Sequence, residues 1–99
     1  MKGITRHITS DKDGSFVYEL NDQRVGEMHY RIAGDHKIIV DHTVVEEEEE
    51  GHGIGKKLLE ELVNFARKEN IKVVPQCSYA HAVLKRTKEW QDILSEDRD

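Results

Sequence analysis

Apolar and polar positions alternate through the first half of the chain, then change period. Phe16, Tyr18 and Leu20 interleave with Val17, Glu19 and Asn21. A two-residue period predicts a strand with one buried face. Residues 1–10 read as a first strand or its lead-in, anchored by Ile4 and Ile8. Asp11-Lys12-Asp13-Gly14 and Asn21-Asp22-Gln23-Arg24 carry the residue types of tight reversals. Between and after them, Val25, Met28, Tyr30 and Ile32 predict another strand, with Gly26 a bulge or a place of close approach. Ala33-Gly34-Asp35-His36 turns again, and Lys37 to Val45 is the most β-prone run. Turns this closely spaced predict an antiparallel meander.

From Gly53 the period lengthens. Ile54, Leu58, Leu59, Leu62, Val63, Phe65 and Ala66 fall at helical spacing, an amphipathic helix that Glu69-Asn70 ends, with Asn70 as a left-handed cap. Ile71-Lys72-Val73-Val74-Pro75 reads as a short buried strand; Pro75, without an N–H, belongs at its end. Ser78 to Arg86 predicts a second helix, and residues 88–94, with Trp90, Ile93 and Leu94, a terminal helical turn. Residues 95–99 are expected to fray. The class is α/β (α+β): one domain over 1–99, with a mixed, mostly antiparallel sheet, a central helix and C-terminal helices.

Charge narrows the partners. The chain has 99 residues, 15 basic and 20 acidic, for a net −5. Such a surface as a whole attracts neither nucleic acid nor anionic lipid. A single cysteine excludes an intrachain disulfide. No segment approaches the about 20 apolar residues of a membrane span, and the first residues lack the apolar core of a signal peptide. The expectation is a cytoplasmic protein, a monomer or weak dimer.

Glu50-Gly51-His52-Gly53-Ile54-Gly55-Lys56-Lys57-Leu58-Leu59 lies between a strand and a helix. Alternate glycines leave the backbone uncovered where the helix begins, and its first N–H groups lack intrahelical partners. That is a site for a phosphate group, to which Lys56 and Lys57 add charge. A Walker loop needs a Ser or Thr after its lysine, and here Lys57 follows Lys56. A dinucleotide fingerprint needs its third glycine one residue later.

The same segment resembles the pyrophosphate loop of the GNAT superfamily of N-acetyltransferases, Gln/Arg-x-x-Gly-x-Gly/Ala at the start of the central helix. Gly53 and Gly55 match its glycines; Glu50 stands at the Gln/Arg position, a departure. Phe16-Val17-Tyr18-Glu19-Leu20, Tyr30, His42-Thr43 and Val74-Pro75-Gln76-Cys77 fit the minimal GNAT subfamily of about 100 residues that lacks the early helices. The resemblance covers most of residues 14–94. It implies that amides from Gly51 through His52, Gly53, Ile54 and Gly55 to Lys56 hold the pyrophosphate of coenzyme A. It also implies that the strand ending at Val44-Val45 pairs with the pantetheine arm, and that acetyl-CoA is the co-substrate for an amine-bearing small molecule or protein.

In the resembled fold Cys77 would stand where the last strand splays away, near the acetyl carbon. A helix beginning at Ser78 would favour its thiolate, opening acyl transfer through Cys77; a small buried residue is the other reading. His42 could take a proton from an ammonium or be a hydrogen-bonded strand residue. His52 would face ligand or solvent. Tyr79 could protonate a leaving thiolate or pack, and Tyr30 reads mainly as core. A backbone N–H near Val44-Val45 would steady the oxyanion. Lys85 and Arg86 could reach adenosine phosphates or be a solvated face. Glu46 to Glu50 reads as a solvated loop pointing away from the ligand or as a surface recruiting a basic substrate. No histidine pair has the spacing that sets two metal ligands on one helix face, so no metal is expected. The reading is an acetyl-CoA-dependent N-acetyltransferase; its rival is a module on the same fold that binds acyl-CoA or a protein without catalysis.

Overall fold

The computed structural model describes residues 3–95. Five strands form one sheet in the order β1-β2-β3-β4-β5: Ile4–Thr9, Asp13–Leu20, Gln23–Gly34, Lys37–Val45 and Lys72–Pro75. The first four run antiparallel as the predicted meander; β5 lies parallel to β4. Asn21 and Asp22 both take positive φ, 53° and 65°, the hairpin turn whose twist matches its strands. This mostly antiparallel α/β arrangement is the expected class.

Helix α1, Ile54–Glu69, ends as its sequence predicts. Asn70 is left-handed (φ 58°, ψ 51°), and Ile71 N–H donates to Ala66 C=O at 2.8 Å, closing the last turn in a Schellman arrangement. Its six buried side chains, from Ile54 to Ala66, pack on Phe16, Tyr18, Met28, Tyr30, Ile38 and Val40 of the sheet. Helix α2, Ser78–Arg86, adds Ala80, Val83 and Leu84, and a 3₁₀ segment, Lys88–Ile93, adds Trp90 and Ile93. These three helical segments thus feed one cluster on one face of the sheet. On the opposite face Val17, Ile39 and Val74 are nevertheless buried; their strand neighbours Phe16, Ile38, Val40 and Val73 point into the cluster, so by alternation these three point away from it. Charged side chains such as Arg6 and Arg31 stand opposite them in the register, and long stems of this kind cover apolar surface.

Gly26 sits beside a register shift of the β2–β3 pair, and a Cβ on it would stand 2.8 Å from Ile54 Cγ2. Both halves of the expectation hold there. Ser95, by contrast, does not fray: its N–H donates to Val73 C=O at 2.9 Å, and Leu94 bridges Val73. Residues 96–99 lie outside the described residues.

Candidate active site

The sheet opens where β5 ends. Strands β4 and β5 pair from Lys37/Lys72 to Val40/Pro75. The Val40 carbonyl then accepts from both Gln76 N–H and Cys77 N–H, each at 2.9 Å. Past that point β4 runs on to Val45 while the other chain turns into α2. A cleft of about 420 Å³ fills the gap, lined by Thr43, Val45, Glu49, Glu50, Gly51, Gly53, Ile54, Gly55 and Tyr79.

Its floor is the glycine turn. Gly51 and Gly53 have φ of 88° and 77°, where a Cβ is strained; a Cβ at either would meet open space. Gly53 is the N-cap of α1 and no side chain caps the helix. The amides of Ile54, Gly55 and Lys56 therefore have no acceptor within the helix. Three donors, open space above the turn and the positive helix end suit a diphosphate. The open edge of β4 beside them suits an extended amide-bearing arm.

Two features oppose an anion. Glu49 and Glu50 line the cleft, while Glu46 to Glu48 are exposed and stand outside its lining. A 3₁₀ turn, Glu47–Glu49, folds Glu49 and Glu50 back over it. His52 is exposed and answers Glu49, with Nδ1 at 3.3 Å from Oε1. Lys56 is exposed on the first turn of α1. The Lys57 ammonium instead reaches toward β2, 3.4 Å from Tyr18 Oη and 5.4 Å from its ring centroid. Lys85 and Arg86 are exposed at the far end of α2.

Cys77 is buried at the apex of the split and caps α2: Ala80 N–H donates to its Sγ at 3.4 Å. The same Sγ lies 3.2 Å from Thr43 Oγ1, so the thiol meets the cleft through a cleft-lining hydroxyl. Tyr79, two residues on, covers Gly55. Burial raises its phenol above the usual value, Arg86 opposes that and Cys77 adds to it; the group stays protonated at neutral pH. Thr43, whose role the sequence left unassigned, is placed by strand alternation together with Val45.

The same alternation turns His42 and Val44 to the opposite face. There the His42 ring stacks on His29, centroids 5.5 Å apart, with Nδ1 3.8 Å from Asp41 Oδ1. His29 itself bonds Asp41 Oδ1 through Nδ1 at 2.7 Å and Asp13 Oδ2 through Nε2 at 2.9 Å. Burial alone would lower the His29 imidazole, but these two carboxylates outweigh it and raise its pKa. His42 is thus separated from Cys77 by the thickness of the sheet.

A family model described as GCN5-related N-acetyl-transferase matches residues 15–93. Among solved structures, a GCN5-like protein from Staphylococcus aureus is 29% identical, with a TM-score of 0.70; the match covers 94% of this chain and 90% of that one. An aminoglycoside acetyltransferase from an uncultured soil metagenomic sample, in complex with sisomicin, is 20% identical with a TM-score of 0.67, covering 92% of this chain and 64% of that one. A GNAT family acetyltransferase from Elizabethkingia anophelis with acetyl-CoA bound is 18% identical with a TM-score of 0.62, covering 76% and 52%. The chain therefore spans nearly all of the first and between half and two-thirds of the other two. No curated protein matches it. Among the described residues, no helix is long and apolar enough to cross a membrane.

Proposed function

The chain belongs to the GCN5-related N-acetyltransferase family, and on that premise we propose that it is an acetyl-CoA-dependent N-acetyltransferase acting on an amine, with Cys77 as the acetyl carrier. The observation that carries this reading is the cleft at the β4–β5 split, whose floor is the open glycine turn and whose lining hydroxyl, Thr43 Oγ1, lies 3.2 Å from the Cys77 thiol. Acetyl-CoA would supply an activated acetyl group. The amides from Gly51 to Lys56 would hold its diphosphate, and the edge of β4 at Val44-Val45 would hold the arm. Lys85 and Arg86 are the cations left for the nucleoside end.

Within the chain, Cys77 Sγ accepts a helix amide, a contact that stabilises negative charge on sulfur. Attack of the thiol on the acetyl carbonyl forms an acetyl-cysteine thioester and releases the coenzyme A thiol; the proton from Sγ balances the leaving sulfur. Tyr79 lines the cleft and stays protonated, so it can hand on that proton through its Oη. Attack of an amine on the acetyl-cysteine then forms the amide and restores the thiol. His42 lies on the opposite face of the sheet from Cys77 and takes no part in this transfer; the amine attacks in its neutral form.

Calorimetric titration with acetyl-CoA and with coenzyme A, followed by intact mass, tests the proposal. Binding with a gain of one acetyl group that vanishes in Cys77→Ser supports it. Binding with amide product but no acetyl-protein moves the reaction to direct transfer. Binding with no acetyl transfer to any amine favours the rival binding module, a reading that Glu49 and Glu50 in the cleft support.

A further inference from the structure

The face of the sheet without a helix carries a second cluster, built by a β-bulge. In the β3–β4 ladder His29 pairs with His42 and Tyr30 with Val40. Asp41 is the extra residue. A bulge sets two residues of one strand against one of its partner and re-aims their side chains. Here Asp41 and His42 both face His29.

The donor atoms converge. His29 Nδ1, Asp41 Oδ1 and His42 Nδ1 are three such atoms, and one ligand atom from each of these residues lies within 4.8 Å of the others. His29 to Asp41 is 2.7 Å and His42 to Asp41 is 3.8 Å. These bracket the roughly 3.4 Å edge of a tetrahedron with metal–ligand bonds of about 2.1 Å. Behind them stands an outer layer. Asp13 Oδ2 accepts from His29 Nε2 at 2.9 Å, which keeps a proton on Nε2 and leaves Nδ1 as the nitrogen that a cation can take from its proton. Asp13 is held in turn by Ser10 Oγ at 2.7 Å. Arg31 Nε donates to Asp41 Oδ2 at 3.3 Å, leaving Oδ1 to the centre. A carboxylate behind a ligating imidazole and a donor behind a ligating carboxylate are the supports that metal sites use.

We propose that His29, Asp41 and His42 form a binding site for a late first-row divalent cation, with zinc the natural probe, on the open face of the sheet. Two imidazoles and one carboxylate suit zinc, nickel or cobalt over magnesium or calcium, which prefer all-oxygen sets. Water would complete the coordination, since the face is open. The cation takes the place of the proton between His29 and Asp41, and it occupies His42.

Zinc chloride titrated into the untagged full chain, in competition with a chromophoric chelator and without acetyl-CoA, tests the site. The expected result is one zinc per chain at micromolar affinity or tighter. Binding should fall at least tenfold in His29→Ala and in His42→Ala, and by about 10- to 100-fold in Asp13→Asn, which touches only the outer layer. In nitrogen-detected NMR of the unmodified protein, zinc should shift Nδ1 of His29 and of His42, so the test survives a variant that fails to fold. With cobalt, a thiolate charge-transfer band would place the ion on Cys77 and overturn the proposal. So would full binding retained in the His29→Ala/His42→Ala double variant, or binding weaker than about 0.1 mM. None of these outcomes bears on acetyl transfer.

Discussion

The ring of Tyr79 lies against the backbone of Gly55, so closely that a Cβ on Gly55 would stand 2.9 Å from Tyr79 Cζ and Oη. The third glycine of the turn is therefore a seat for a side chain from α2, a different duty from those of Gly51 and Gly53. Gly55→Ala should leave stability nearly unchanged: alanine gains about 0.5–1 kcal/mol in a helix, and the tyrosine tip can swing away. The displaced phenol should cost acetyl transfer at least tenfold, matching Tyr79→Phe, since a positioned acid contributes about 10² or more. Thermal melts and turnover measured on both variants check this; a fully active Gly55→Ala would remove Tyr79 from the reaction.

Cys77 caps α2 and is the proposed acetyl carrier, and one substitution separates the two. Serine is a good N-cap, so Cys77→Ser should keep α2 capped and lose the acetyl-carrying thiol. Cys77→Ala loses both, with a further cost of about 0.5–2 kcal/mol from the missing cap. Urea melts should rank wild type and Cys77→Ser above Cys77→Ala, while intact mass shows no acetyl adduct on either variant.

Glu49 and Glu50 put negative charge beside the amides that would receive a diphosphate. The double variant Glu49→Gln/Glu50→Gln should bind coenzyme A about two- to fivefold more tightly, the scale of about 0.3–1 kcal/mol for charge near a helix end. The gain should shrink as salt rises, because exposed charges are screened. Titration at low and high ionic strength measures both effects. Unchanged affinity at low salt would mean that the carboxylates swing clear when the ligand enters.

His7 ties the edge strand β1 to the core. It stacks on Phe16 with centroids 4.1 Å apart, and its Nε2 lies 2.7 Å from Tyr30 Oη. Burial lowers its pKa, so the unfolded chain binds the proton more readily than the folded one. Stability therefore rises with pH between the two values and falls as pH drops below about 6.5, the unfolded value. His29 acts with the opposite sign: its raised pKa gives stability that is lost as pH rises through the folded value. The difference between wild type and His7→Gln isolates the first effect. Wild type should lose more melting temperature than the variant from pH 7 to pH 5; equal losses would refute the assignment to His7.

Much of this molecule was legible along the chain. Alternation from Phe16 to Val45 gave the meander, helical spacing from Ile54 to Ala66 gave α1, and Asn70 announced its own cap. The glycine turn was readable because backbone exposure follows from residue type. What was hidden depends on distant register. No local signal marks Asp41 as an extra residue, yet that one insertion separates Thr43 and Cys77 on one face from His42 and His29 on the other. Metal-ligand spacing within a single helix could not reveal the juxtaposition of His29 on β3 with Asp41 and His42 on β4. Nor could the glutamate run disclose its direction, since a 3₁₀ turn that folds it back differs by a few dihedrals from a loop that does not. Ser95 reads as a loose end along the chain because its partner, the Val73 carbonyl, lies 22 residues upstream.

The Val40 carbonyl, shared by two amides, makes the β4–β5 gap a taper with its narrow end fixed. Because Gln76 and Cys77 both hang on that one acceptor, the point where the two strands part is set by the backbone alone. Substitutions along the walls can change what the cleft holds without moving where it closes.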